Sequence, residues 1–346
     1  MKILIATSGI PFIHGDAEIL AGNLREALSR AGHEAELVAI PFQHYPPGRI
    51  PDQMLACRLL DLTETCGVRI DRVVGLQFPA YLIPHPNKVI WLLHQHRAAY
   101  ELWDQPAADS LMDYPDGSVI REAIRQADRE LIPEARIVYA LSQYVSERLR
   151  RYSGIAAEPL YHPPANAPLL HKSSAGDYFF CPSPAGSANR QWLAIEATAK
   201  CRESARILVA GEPGSLSQPA RSANKFKSSD RVEWLGMLSE DQKRELYANC
   251  LGVVFPPVDE NYGYVTLEAM LSSKPVITTS DSGGPLEFVL AGDTGLVAHP
   301  TPESLAEAMD TLWADRRRAA AMGDAGRARY QDLHISWANV VEKLLC

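Results

Sequence analysis

Leu251-Gly-Val-Val-Phe-Pro-Pro257, followed by Glu260-Asn-Tyr-Gly-Tyr-Val-Thr-Leu-Glu268, decides how this chain reads. The apolar run is a buried strand, ended by two prolines that cannot donate to a further ladder. Gly263 permits a tight approach to the helix that follows, and Glu268 falls roughly a turn and a half into that helix. Strand, loop and helix in this order leave backbone N–H groups and the positive end of a helix dipole beside Glu260, a site suited to an anion. The pattern recurs at once. Pro275-Val-Ile-Thr-Thr279 is a short strand, Asp281-Ser-Gly-Gly284 a loop, and Pro285-Leu-Glu-Phe-Val-Leu290 a helix with proline at its start. Two such turns in tandem predict a crevice at the carboxyl ends of parallel strands, holding something phosphorylated and polyhydroxylated.

Outward from this stretch, short apolar strands alternate with helical segments. Strands are expected at 2–7, 35–40, 72–76, 88–93 and 137–141, then at 178–181, 206–210, 232–234, the Leu251 run, 275–278 and 295–298. A helix is expected from about Ala17 to Ala31, with Ile19, Leu24, Ala27, Leu28 and Ala31 on one face and Gly32 as its stop. This alternation predicts an α/β chain of doubly wound parallel sheets. Tyr161-His-Pro-Pro-Ala-Asn-Ala-Pro168 reads as a linker stiffened by proline, dividing the chain into 1–163 and 164–330. Ser215–Ser229, rich in serine and positive charge, reads as an exposed loop. Ile335–Leu345 reads as an amphipathic helix.

A length of 346 residues suits two domains, and 46% apolar with 22% charged residues is ordinary for a soluble enzyme. A net charge of −8 argues against a nucleic-acid partner, which calls for a basic surface. Met1-Lys-Ile-Leu-Ile-Ala6 lacks a signal-peptide cleavage pattern and reads as a first strand. The six cysteines are scattered, without metal-ligand spacing, so neither a zinc site nor a disulfide framework is expected. Cys181 and Cys250 read as small core residues. The compartment this suggests is a reducing cytoplasm. Arg121, Arg125 and Arg129 recur at helical spacing, followed by Arg148, Arg150 and Arg151. They read as a solvated charged face diluted by acids, the alternative being a weak peripheral contact with anionic lipid at the inner face of the membrane.

Glu260 to Glu268 resembles the E-x7-E signature of retaining nucleotide-sugar glycosyltransferases, and the surrounding residues resemble glycosyltransferase family 4. The likeness runs from Pro257 through Lys274-Pro-Val-Ile277 and Ser282-Gly-Gly-Pro-Leu-Glu287 to Gly292-Asp-Thr-Gly-Leu-Val297. It implies a GT-B fold of two Rossmann-like domains facing across a cleft, with 331–346 returning to the first. It also implies transfer, with retention and without a metal, of a hexose-type sugar from a UDP- or GDP-linked donor. The acceptor is a hydroxyl of a glycan, a lipid-linked intermediate or a small molecule.

By the same resemblance, Glu268 accepts hydrogen bonds from the nucleotide ribose, Glu260 holds donor-sugar hydroxyls, and backbone amides of Asn261, Tyr262, Gly263 and Tyr264 face sugar or phosphate. His94, with His96 as the alternative, approaches the donor from the acceptor side in Trp91-Leu-Leu-His-Gln-His-Arg97. Gly15 belongs to the first loop that nears the leaving phosphate. Its neighbour Asp16 either caps the next helix or faces a hydroxylated acceptor. One departure stands out. The positions where relatives carry a diphosphate-gripping arginine and lysine hold Pro184 and Asn189. Losing both charge-assisted contacts would cost about 3–6 kcal/mol, on the order of 10²- to 10⁴-fold in leaving-group stabilisation. Either Arg190 supplies the charge, the favoured reading, or Lys225 or Lys227 swings in. Otherwise the leaving group carries less charge, or the chain binds its ligand without efficient transfer.

Overall fold

A computed structural model describes residues 1–12, 15–104, 111–182, 189–211 and 230–346. The chain divides into two compact units, Met1–Ala165 with Ser336–Cys346, and Asn166–Ile335. Pro184, Lys225, Lys227 and the whole Ser215–Ser229 stretch lie outside the described residues.

In the first unit Lys2–Gly9 lies between Glu34–Pro41 and Arg72–Gly75, and the sheet continues through Lys88–Leu92, Ile137–Ala140 and Glu158–Pro159. Every pairing is parallel. Lys88–Leu92 is buried along its length, as a strand covered on both faces requires, which explains its unbroken apolar run Val89–Leu92. The first helix spans Asp16–Arg30 and buries Leu20, Leu24, Ala27 and Leu28. Ile19, expected on that face, is exposed: the apolar stripe runs i, i+4, i+7, i+8 from Leu20.

The C-terminal helix, Trp337–Leu345, starts at Ser336, whose hydroxyl accepts from the Asn339 amide at 3.2 Å. It docks on the first unit: Arg72 Nη1 donates to the Leu344 carbonyl at 2.5 Å, and Trp337 meets Trp91 edge-on.

The second unit orders its strands as Val232–Trp234, Ile207–Val209, Phe179–Cys181, Gly252–Val254, Val276–Thr279 and Gly295–Ala298, all parallel. In sequence rank this is 3-2-1-4-5-6, the dinucleotide-binding order, with its reversal between Phe179–Cys181 and Gly252–Val254. Alternate residues serve opposite faces. Phe179 and Cys181 join Leu193, Ile195 and Met309, while Phe180 joins Tyr247, Cys250 and Phe255. Cys181 and Cys250 are core residues, as their sequence context indicates. The helix expected over 285–290 is a single turn, Pro285–Phe288. Thr294 ends it, accepting from the Leu290 amide at 2.8 Å and donating to the Phe288 carbonyl at 3.1 Å. Among the described residues no helix is long and apolar enough to cross a membrane.

Candidate active site

The two strand-to-helix turns of the second unit are fused into one structure. Asp259 N–H donates to the Asp281 carbonyl and Glu260 N–H to the Ser282 carbonyl, each at 3.1 Å, while Gly284 N–H returns to the Glu260 carbonyl at 2.8 Å. Ser282 Oγ donates to the Pro257 carbonyl at 3.0 Å and accepts from Thr278 Oγ1 at 2.8 Å. The approach is so close that glycine is required twice. A Cβ on Gly284 would stand 2.8 Å from the Tyr262 carbonyl oxygen, and Gly263 combines φ of 91° with a Pro285 ring 2.8 Å from its missing Cβ. The Tyr262 ring is a core group, edge-on to Tyr264 and Phe288, so only its main chain faces the loop. Its amide donates to Glu260 Oε1 at 3.3 Å, which holds the half-buried Glu260 carboxylate against the turn. Asn261, also half-buried, forms the part of the loop that Gly284 packs beneath.

Helix Tyr264–Leu271 carries Glu268 into the unit's interior, where it is 7% exposed. Tyr247 OH donates to Oε2 at 2.6 Å and Lys243 Nζ to Oε1 at 3.2 Å. Burial raises the carboxyl's pKa, and these two donors oppose the rise. Each carboxylate oxygen offers two acceptor sites, so one per oxygen remains for a vicinal diol. Lys243 and Tyr247 sit one turn apart on Glu240–Asn249, a spacing visible in the sequence, although nothing local links them to Glu268.

Arg190 has a different partner from the one favoured above. Its guanidinium grips Asp281 with two bonds, Nη1 to Oδ2 at 2.8 Å and Nη2 to Oδ1 at 2.7 Å. It also donates to the carbonyls of Pro256 and Pro257 and to Thr279 Oγ1. Burial alone would raise the Asp281 carboxyl, but Arg190 and Thr279 outweigh it and hold it below the usual range. The charge expected to meet a diphosphate is thus committed to a clamp joining the carboxyl ends of two strands, Gly252–Val254 and Val276–Thr279. Arg190 adopts a left-handed backbone (φ 47°), a conformation its side-chain bonds offset.

In the first unit His94, Gln95 and His96 follow Lys88–Leu92. His94 Nδ1 lies 2.7 Å from the Gln95 carbonyl. A carbonyl only accepts, so Nδ1 carries the hydrogen and Nε2 presents a lone pair. Burial lowers the imidazole's pKa, keeping it neutral. Gln95 anchors the segment through Asp128 Oδ2 at 2.8 Å and Ser153 Oγ at 2.9 Å. Asp128 is fully buried and also accepts from Tyr81 and Tyr100, each at 2.8 Å; burial pushes its pKa up to about 6 despite these donors. Sequence reading missed this hub, because an acid among Arg121, Arg125 and Arg129 looks like surface charge. Two of those arginines lie on their own unit's rings, Arg121 over Trp103 and Arg125 over Tyr100, and Arg129 pairs with Glu122.

Gly15 is the cap residue of the first helix, with extended backbone that any residue adopts. Asp16 is the first helical residue and exposed, not the cap; the carboxylate that accepts from the Gly15 amide, at 2.9 Å, is Glu18's.

Residues 183–329 match the family model described as "Glycosyl transferases group 1". The match falls within the second unit. The chain is 36% identical over 110 residues to alpha-1,3/1,6-mannosyltransferase ALG2 of Dictyostelium discoideum, covering 32% of this chain and 26% of that protein. It is 36% identical over 151 residues to alpha-maltose-1-phosphate synthase of Mycolicibacterium smegmatis, covering 40% and 38% of the two chains. The chain therefore spans well under half the length of these relatives. Among solved structures it resembles sucrose-phosphate synthase from Thermosynechococcus elongatus (TM-score 0.76, 17% identity, 99% of this chain and 97% of that one). It also resembles Anabaena HepE in complex with UDP and glucose (TM-score 0.72, 16% identity, 100% and 98%). The group 1 glycosyltransferase fold is GT-B, and the six-stranded sheets of both units are Rossmann-like.

Proposed function

We propose that this chain is a retaining, metal-independent glycosyltransferase that moves a hexose-type sugar from a UDP- or GDP-linked donor to a hydroxyl acceptor. One observation carries the reading. At the strand-order reversal of a dinucleotide-type sheet, a doubly braced turn presents Glu260, and the following helix buries Glu268 on a Lys243–Tyr247 cradle. A buried carboxylate with one acceptor site left on each oxygen suits the two hydroxyls of a ribose. Glu260, braced at the turn, orients donor hydroxyls. His94, neutral and with Nε2 as acceptor, takes a hydrogen bond from a hydroxyl and aligns it, the kind of positioning from which such reactions gain most. The similarity to HepE, solved with UDP and glucose, supports a nucleotide-sugar donor.

A second reading draws on the Arg190 clamp. A site whose Arg190 is spent on Asp281 neutralises a leaving diphosphate weakly, which favours a subunit that binds nucleotide sugar without efficient transfer. Incubation with UDP-glucose and GDP-mannose, each with a panel of hydroxyl acceptors, separates the two. Donor-dependent release of nucleotide together with a glycosylated product supports the transferase; tight donor binding with neither supports the second reading. Failure of every nucleotide and nucleotide sugar to bind overturns both.

A further inference from the structure

The first unit contains a cavity of about 440 Å³ on whose wall His94 stands. It opens at the carboxyl ends of Lys2–Gly9 and Arg72–Gly75, where this unit's strand order reverses, and Phe42, Ile50, Phe78 and Leu111 give it apolar walls. Ligand sites in open α/β sheets occupy this position. Most polar wall groups are already bonded within the unit. Ser8 Oγ donates to the Phe78 carbonyl at 2.6 Å, Gln77 Oε1 accepts from Thr7 at 3.0 Å, and Glu18 accepts from Gly15. His96 differs. It is 9% exposed, and among the described residues neither Nδ1 nor Nε2 has a hydrogen-bond partner. Its ring is fixed edge-on by Phe78, at 5.1 Å between centroids, and by Phe42, at 6.1 Å. Buried polar atoms in folded proteins are nearly always satisfied, so an imidazole with both nitrogens bare on a cavity wall is a mark of a missing ligand.

The charge of the wall narrows that ligand. Among the described lining residues the arginine is Arg97, which shares Glu101 with Arg148 at 2.7 and 2.8 Å, and Glu18 adds a second carboxylate, so two guanidiniums are set against two carboxylates. A phosphate or carboxylate would meet no surplus positive charge here. The imidazole is itself neutral, since burial holds its pKa at about 4. One ring nitrogen then donates and the other accepts, the complement of a hydroxyl, which does both.

We propose that the acceptor this cavity takes is an uncharged hydroxy compound with an apolar ring body, and that His96 sets this specificity by receiving the hydroxyl. The word acceptor rests on the transferase reading; the ligand class rests on the cavity alone.

Isothermal titration of the full chain with 2-naphthol, 2-naphthyl phosphate and methyl glucoside tests the class, and ring nitrogen shifts in protein labelled with ¹⁵N-histidine locate the ligand. Expected are binding of 2-naphthol, with movement of the His96 nitrogens, and a clear preference for it over the other two probes. His96→Phe should weaken 2-naphthol binding by roughly tenfold or more, while His96→Asn, which keeps a donor and an acceptor, should recover part of it. Equal or tighter binding of the phosphate or the glucoside, or unchanged 2-naphthol affinity in a folded His96→Phe protein, overturns the proposal. A parallel titration with UDP keeps the readings apart. If UDP fails to bind while 2-naphthol moves His96, the transferase reading falls and the pocket stands; the reverse result leaves the transferase and removes the pocket.

Discussion

Replacing Arg190 with methionine removes the guanidinium that joins two strand ends and keeps most of its volume. The lost contacts are the two bonds to Asp281, the two proline carbonyls and the Thr279 hydroxyl. Breaking one side of a fully buried pair costs about 3–5 kcal/mol. Here the arginine side chain is 12% exposed but Asp281 is 39% exposed, so water recovers part of the carboxylate's solvation. A loss of about 2–4 kcal/mol follows, or roughly 5–15 °C in the Tm of a unit this size. The pH dependence has a definite sign. Asp281 is held below its usual range in the fold, so the pair's contribution is complete at neutral pH and is lost as pH falls through the depressed pKa. The gap between wild type and Arg190→Met should therefore be widest at neutral pH and should close in acid. Differential scanning calorimetry across that range reads both effects. An unchanged Tm at neutral pH, together with a large loss of nucleotide-sugar affinity, would refute the clamp and return Arg190 to the donor.

Lys243→Met should raise the Glu268 pKa further, weakening UDP binding at neutral pH and moving its acid midpoint upward relative to wild type, as read by titrations at several pH values. Asp128→Asn removes a group whose folded pKa is raised to about 6, so its stabilising contribution is largest in acid and fades as pH rises. From roughly pH 4 to pH 7 the variant should gain about 2–3 kcal/mol relative to wild type in denaturant melts. His94→Gln should keep donor affinity and lose turnover by roughly 10²-fold, the scale of one misplaced positioning group; unchanged turnover would shift the role to His96. Gly284→Ala places a methyl 2.8–2.9 Å from the Tyr262 and Asn261 carbonyl oxygens. It should cost about 1–3 kcal/mol in a chemical melt and lower donor affinity by displacing Glu260.

The fold was legible because its signals are local. Short unbroken runs such as Val89–Leu92 and Val253–Val254 fit strands covered on both faces, and Gly263 and Pro285 punctuate the turns that follow. The likeness around Glu260 and Glu268 was legible for the same reason: its residues are close in sequence. What escaped was set by contacts over long separations. Lys243 and Tyr247 reach Glu268 across 25 and 21 residues, and Arg190 reaches Asp281 across 91. No spacing rule distinguishes such a clamp from a ligand-binding arginine. Ile19 was misassigned for a smaller reason: the helix stripe starts one residue later, at Leu20, and a one-residue phase error turns a core residue outward.

The most direct test of the account is a crystal structure of the chain grown with UDP-glucose or GDP-mannose. The ribose hydroxyls should lie within hydrogen-bonding distance of the Glu268 carboxylate and the donor-sugar hydroxyls within reach of Glu260. A donor well ordered elsewhere, with both carboxylates keeping only their Lys243, Tyr247 and Tyr262 contacts, would contradict it.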